Sequence, residues 1–392
     1  MKTAMIIYEG MADRAAPPLE GRTPLQVARC AQGTGLAVPG RGGLIVPGRR
    51  EEDHRPEARL AQMLGVSEPD ARDLQRGPLE ALGAGITAEP GDWIYRADYV
   101  TMDGTSLARG EVRRLSLEET EALTDSVRAQ FESDAVTLHV LKPGRVIVQC
   151  RADRDGHSAS VSPFDVEGAA YTGVLAKGRH AFARDFLLRS YEALLGHPVN
   201  DVRVDLGDNP ANALWPWGGG AALQPDADNP FGVMATQSLV ARGLAVMLGM
   251  RVVNLFDPWQ DAKGKRGSFK IPELVEALRE NDLLAVYVEA PYAGGRYGEA
   301  AEKVWALESL DQFVLGPLLS LLAAHKPYRV LLTTDGAVVS TDGRAAPDPL
   351  PFILSGEGVE PDGVGHWDEA ACAEGALGKV RGYEVLDMLR KE

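Results

Sequence analysis

The stretch YRVLLTTDGAVVSTDGRAAPDPLPFILSGEGV, residues 328–359, holds two short runs rich in aliphatic and β-branched residues, YRVLLTT at 328–334 and LPFILS at 350–355. Runs of this kind, bounded by Gly, Pro and Asp, read as strands, and the acid Asp335 falls at the end of the first one. The pattern recurs at AMIIY 4–8, VTLHVL 136–141, RVIVQC 145–150, DVRVDL 201–206, RVVNLF 251–256 and LLAVYV 283–288. Segments of helical period lie at 117–131, 181–195, 232–248, 271–280, 299–325 and 378–390. Strand and helix alternate most regularly after about residue 180, which predicts an α/β fold with a mostly parallel sheet covered by helices on both faces.

Two regions depart from that rhythm. Residues 20–75 are rich in Gly, Pro and Arg, and read as a long surface excursion. The paired strands at 136–150 predict a hairpin over the PGR turn, inside a smaller inserted α/β domain spanning 76–180, with the core domain formed by 1–75 and 181–392. WPWGGGAA at 215–222 lacks both the Walker lysine and the GxGxxG spacing, so it reads as a close-packed loop, with Trp215 and Trp217 as core aromatics.

Composition narrows the function classes. The 392 residues can bury a large core, and 45% hydrophobic with 25% charged residues is ordinary for a globular chain. A formal charge of −15 repels nucleic acid and anionic membrane surfaces, so neither is an expected partner. Cys30, Cys150 and Cys372 are widely spaced with no CxxC, which predicts a reducing cytoplasm and no zinc knuckle. The N-terminal apolar run is too short for a signal peptide, and no later stretch reaches the ~18 uninterrupted apolar residues of a membrane span.

Several landmarks carry a resemblance. They are EGMADR 9–14 with LEGRTPLQVA 19–28, RGPLEALGAG 76–85 with PGDWIYRADYVTMDG 90–104 and RLSLEETEAL 114–123, and DPLPFILSGEGV 348–359 with ALGKVRGYEVLDML 376–389. In this order the chain resembles the archaeal-type cofactor-independent phosphoglycerate mutases of the alkaline phosphatase superfamily. The resemblance implies an alkaline-phosphatase-like three-layer core with an inserted domain over the strand ends. It also implies two divalent cations and a serine that accepts and returns a phosphoryl group.

Position by position, the implied site is altered. Glu9 stands at the first ligand aspartate, and its extra methylene suits a tight octahedral Mg²⁺ or Mn²⁺ site poorly. Pro56 stands at the nucleophile and Glu57 near the following aspartate. Ser67, the nearest serine, reads as a cap. Tyr292 and Arg296 replace an aspartate and a histidine, while Asp335 is kept. Gly336 replaces one histidine and Ala345 or its neighbour another. Gly144 replaces the histidine of a Gly-His-Arg motif whose arginine is Arg145. Arg41, Arg49, Arg50, Arg55 and Arg59 gather in the segment that would carry the nucleophile, and read as a solvated loop or an anion-binding cluster.

These losses predict a catalytically silent member with no metal or other cofactor, acting by binding, scaffolding or regulation, with a small anionic ligand or a protein as partner. The alternative is a phosphomutase with a rearranged Mg²⁺ or Mn²⁺ site on Glu9 and Asp335, with Asp13, Glu57 or His54. A third reading is a metal-free anion pocket on Arg145 and Arg296.

Overall fold

The computed structural model describes residues 1–131, 135–151, 158–175, 178–226, 232–255, 271–289 and 299–391. Its strands are β1 Lys2–Tyr8, β2 Arg41–Val46, β3 Trp93–Asp103, β4 Ser106–Arg109, β5 Val136–Lys142, β6 Arg145–Cys150, β7 Ala213–Ala221, β8 Val233–Thr236, β9 Arg251–Val253, β10 Leu283–Val288, β11 Tyr328–Thr334, β12 Ala337–Val339, β13 Arg344–Ala346, β14 Leu350–Gly356 and β15 Gly378–Arg381. They fall into two compact units, Met1–Asp73 with Asp226–Glu392, and Leu74–Pro225.

Among the described residues, the first unit is built on an eight-stranded sheet ordered β15-β2-β14-β11-β1-β10-β8-β9. In it, β14 runs against its neighbours β11 and β2, and the remaining pairings are parallel. This is the mostly parallel sheet that the strand and helix alternation predicts. β1, KTAMIIY, lies between β10 and β11 and is buried from Thr3 onward. A strand covered on both faces must be apolar on both, which is why it reads as a continuous rather than an alternating run. The helical segments Ala300–Leu310, Asp311–Leu315 and Gly316–Ala323 follow without a break and bury Leu307, Leu310, Leu315, Leu318 and Leu322 in the core.

Residues 20–75 are not a surface excursion. RGGLIV forms β2, inside the sheet between β14 and β15. The glycines that suggest a loop serve packing here: a Cβ on Gly43 would lie 2.6 Å from the Phe352 ring. Gly43→Ala is therefore expected to cost about 1–3 kcal/mol through overpacking. Urea unfolding measures it, and an unchanged midpoint would refute this account.

The second unit holds an antiparallel sheet in which β3 pairs with β4, β6 and β7, and β5 with β6. The predicted hairpin is β5–β6, turning at Gly144, whose φ of 73° favours glycine. The second boundary differs from the expected 180/181. WPWGGGA is not a loop but the body of β7, paired with β3 from Trp93 to Val100. Helix Ala181–Leu194 packs on β7, with the Ser190 hydroxyl accepting from Leu214 N at 3.0 Å. A strand and helix that complete this sheet belong to its unit, so the boundary moves to 225/226.

DVRVDL is also not a strand. Pro198 occupies the first turn of helix Pro198–Asp205, and the His197 ring accepts from Val199 N as its cap. Val202, Val204 and Leu206 remain exposed, so their alternating pattern marks no buried face. Residues 378–390 likewise divide into β15 and helix Val385–Arg390.

Candidate functional site

In the first unit, β1, β10 and β11 run parallel, and Tyr8 is in register with both Val288 and Thr334. The residues that follow, Glu9 and Asp335, therefore emerge side by side at the carboxyl ends, where open α/β sheets bind ligands. Glu9 N donates to Val288 O at 2.8 Å and Asp335 N to Tyr8 O at 3.3 Å, so each acid is fixed through its backbone. Glu9 is 4% exposed and Asp335 fully buried.

The Asp335 carboxylate is already engaged. Its Oδ1 accepts from Gly10 N at 2.9 Å and its Oδ2 from the Tyr287 hydroxyl at 2.7 Å. Tyr287 titrates well above an ordinary tyrosine, first because it is buried and then because Asp335, Glu9 and Glu289 disfavour a further negative charge. It therefore stays protonated and keeps donating. Arg59 reaches the same residue from helix Pro56–Met63, with Nη1 donating to Asp335 O at 3.4 Å. Burial pulls this guanidinium down, against the pull of Asp335 and Asp348, yet an arginine remains charged.

The other predicted residues are distributed differently. Asp13 is bound by the buried ammonium of Lys303 at 3.0 Å and by Ser340 N at 3.1 Å, so it serves an internal ion pair rather than a site with Glu9 and Asp335. Pro56 opens its helix at the first turn, where a missing N–H costs nothing, and Glu57 is buried 3.6 Å from Arg55. His54 Nε2 bonds Gly48 O at 2.9 Å, which occupies that ring nitrogen locally. Ser67 caps helix Glu68–Asp73 by accepting from Asp70 N at 3.3 Å. Gly336 lies against Gly10 and Arg59, and Ala345 pairs with Val338 in the β12–β13 ladder. Arg296 and Tyr292 lie outside the described residues.

Arg145 belongs to the second unit, in a buried charge network of its own. Its Nη1 donates to Glu80 Oε1 at 3.2 Å, while Arg96 bridges Glu80 at 2.9 Å and Asp98 at 2.7 Å. Trp217 Nε1 donates to Asp98 at 2.6 Å and the Arg96 guanidinium stands 4.7 Å over the Trp217 ring. Trp215 is fully buried, with its indole on Val161 O. Both tryptophans are core aromatics, as the sequence predicts.

Tyr287 and Lys303 escape a reading based on ligand positions. Tyr287 lies within LLAVYV, where a phenol reads as one more core aromatic, and Lys303 lies in the first turn of helix Ala300–Leu310, beyond Tyr292 and Arg296. The polar tip of an aromatic at a strand end is the signal for the first. A lone lysine in a helical apolar face is the signal for the second.

Two divalent cations need several oxygen or imidazole ligands each. Among the described residues, no group of three or more His, Cys, Asp and Glu side chains is arranged to hold a metal. Both Asp335 oxygens accept protein hydrogen bonds, and a fixed cation, Arg59, stands beside the same residue. The described donor set does not fit such a pair of ions.

Comparison with known proteins adds the family. The model of 2,3-bisphosphoglycerate-independent phosphoglycerate mutase matches residues 60–200. Over nearly the full length of both chains, the protein is 31% identical to a protein of that name from Methanopyrus kandleri (99% of this chain, 96% of the relative). It is 30% identical to one from Methanothrix thermoacetophila, with 99% of each chain covered. Among solved structures, a Pyrococcus horikoshii protein is similar with a TM-score of 0.74 at 20% identity, covering 100% of this chain and 98% of that one. The cofactor-independent phosphoglycerate mutase of Thermoplasma acidophilum is similar with a TM-score of 0.55 at 24% identity, covering 100% and 99%. Landmarks at both ends and in the middle of the sequence, the parallel sheet with its acids at the strand ends, and relatives 30% and 31% identical over nearly the full length agree: the chain belongs to the 2,3-bisphosphoglycerate-independent phosphoglycerate mutase family.

Proposed function

We propose that this chain keeps the family frame without the family's phosphoryl transfer, and works by binding a small anionic ligand or a protein partner. The observation that carries the reading is the state of Asp335, whose two carboxylate oxygens each accept a protein hydrogen bond, from Gly10 N and the Tyr287 hydroxyl, while the Arg59 cation donates to its carbonyl. Pro56, where the resemblance implies a nucleophilic serine, and the ion pair of Asp13 with Lys303 support it further. The net charge of −15 argues against nucleic acid as the partner. Three buried, unpaired cysteines are in keeping with a reducing cytoplasm.

The test is a phosphoglycerate isomerisation assay with Mg²⁺, Mn²⁺ or Co²⁺, run beside metal analysis of the purified protein. Turnover is expected at least ~10⁴-fold below the ~10 s⁻¹ typical of enzymes, since lost nucleophile and ligands act as one unit. Robust turnover with stoichiometric metal would sink the proposal.

That outcome would favour a second reading, a mutase with a rearranged site on Glu9 and Asp335, for which the names of the full-length relatives speak. Under it, Glu9→Ala and Asp335→Ala each abolish the activity.

A further inference from the structure

Three acids follow the central strands in register. Tyr8 pairs with Val288 and with Thr334, so Glu289, Glu9 and Asp335 come next on the neighbouring strands β10, β1 and β11. Glu9 and Asp335 are buried, and the Tyr287 hydroxyl feels the whole group, since Asp335, Glu9 and Glu289 each disfavour its ionisation. Carboxylates this close, taken out of water, repel one another and need a cation. The resemblance gives that part to divalent metal, and a bound ion is often the largest charge in such a site. The described side chains are not arranged to hold one.

The chain carries a cation of its own here. Arg59, 6% exposed on helix Pro56–Met63, brings Nη1 to Asp335 O at 3.4 Å. That contact is long, and Nε and Nη2 have no hydrogen-bond partner, so hydrogen bonding does little to offset the burial of this charge. The acids offset it instead: burial pulls the guanidinium down, and Asp335 and then Asp348 oppose the pull. Asp348 is already held by Arg14 through two bonds, at 2.7 and 3.0 Å, which leaves Asp335 to Arg59. Lys303, another buried cation of this unit, is engaged on Asp13, Ala12 O and Val338 O. Gly336 leaves the space open. A Cβ there would lie 4.0 Å from Arg59 Nη1 and 3.9 Å from Gly10 Cα, so the imidazole that the resemblance implies would extend from an atom already touching the guanidinium.

We propose that Arg59 is the resident cation of the strand-end acids: its guanidinium does the charge balancing that the resemblance gives to divalent metal, and the fold holds Glu9 and Asp335 together with no added ion. One charge does not neutralise three acids, and the Tyr287 hydroxyl and Gly10 N carry the rest through their bonds to Asp335. The assignment goes beyond the binding reading above, since it concerns what the fold needs and not what it binds.

The experiment heats the full-length protein in EDTA and in rising Mn²⁺, in buffers of equal ionic strength. The wild type should keep the same Tm to within about 1 °C, because an ion without a site on the folded chain does not stabilise it. Arg59→Met, which keeps the length of the side chain and loses its charge, should lower the Tm in EDTA by about 6–20 °C. Mn²⁺ should then recover part of that loss and saturate, and combining Arg59→Met with Asp335→Asn should recover part of it in EDTA alone. If Arg59→Met does not fold in EDTA, folding of the double variant there, or of the single variant in Mn²⁺, is read as the recovery. A wild-type Tm that rises and saturates with Mn²⁺ or falls in EDTA overturns the assignment. So does an Arg59→Met loss below about 2 °C, or a loss that neither Mn²⁺ nor the second substitution recovers, which would make Arg59 a packing residue. Turnover is not read here. A silent chain that Mn²⁺ stabilises would therefore lose this assignment and keep the binding reading, whereas turnover in the separate assay sinks that reading whatever the Tm shows.

Discussion

Lys303→Met should lower the stability of the first unit by about 3–5 kcal/mol, the cost of stripping one partner from a buried ion pair. The ammonium is fully buried and all three of its N–H groups are used, on Asp13 Oδ2 at 3.0 Å, Ala12 O at 2.9 Å and Val338 O at 2.7 Å. It thus ties helix Ala300–Leu310 to the segment after β1 and to β12. Burial pulls its pKa down and Asp13 opposes that pull, so the pair stands on its geometry. Methionine fills the volume but leaves the Asp13 carboxylate without a countercharge and two carbonyls without this donor. Urea unfolding of Lys303→Met, Asp13→Leu and the double variant checks it. The double variant should recover part of the loss, because it removes the stranded charge. A loss under about 1 kcal/mol in Lys303→Met would show that the pair is incidental.

The second large effect lies in the other unit. Glu80→Ala should destabilise it by about 3–5 kcal/mol. Glu80 is 1% exposed and accepts from Arg96 at 2.9 Å and Arg145 at 3.2 Å, with Arg76 Nε at 3.8 Å. Without it, Arg96 and Arg145 share the Asp98 carboxylate between them.

Burial raises the Glu80 carboxyl, but Arg145, Arg96 and Arg76 outweigh it and hold the group below its ordinary 4.5. Asp98 is held below its ordinary 3.8 in the same way, with burial opposed by Arg96 and Arg145. A depressed carboxylate contributes stability above its unfolded pKa and loses it as pH falls through the folded value. The wild type should therefore weaken as pH drops below about 4.5, and Glu80→Ala should weaken less steeply there, having lost that contribution already. Tryptophan fluorescence, with Trp217 on the Asp98 carboxylate, reports both. Equal acid slopes in the two proteins would contradict the assignment.

Much of this fold is legible from local pattern. The strands around β1 are continuous apolar runs because they are buried on both faces, and Asp335 is found at a strand end because the run before it stops there. β2 is lost to a sequence reading because RGGLIV looks like loop, and its Gly43 answers to Phe352, a residue about 300 positions away. DVRVDL misleads in the opposite sense, since its alternating valines stay exposed and Pro198 and His197 start a helix. In the site, the resemblance alone singles out Pro56, Gly336 and Asp335. It cannot give the partners that fill the space: Tyr287 reaches Asp335 from the neighbouring strand, Lys303 takes Asp13 across 290 residues, and Arg59 is fixed by the helix that Pro56 begins. Such pairs are tertiary, and no spacing in the chain encodes them.

The central place of β1 also sets an order of events during synthesis. Thr3 pairs with Leu283 and Arg329, so β1 leaves the ribosome well before either of its neighbours is made. At about 5–20 residues per second, the first of those partners is made roughly 14–56 s after it. The unit Leu74–Pro225 is contiguous and is complete in the meantime. A nascent chain stalled near residue 260 should thus already protect β3, β6 and β7 from proteolysis, while the apolar run of β1 waits for chaperones or for the rest of its sheet.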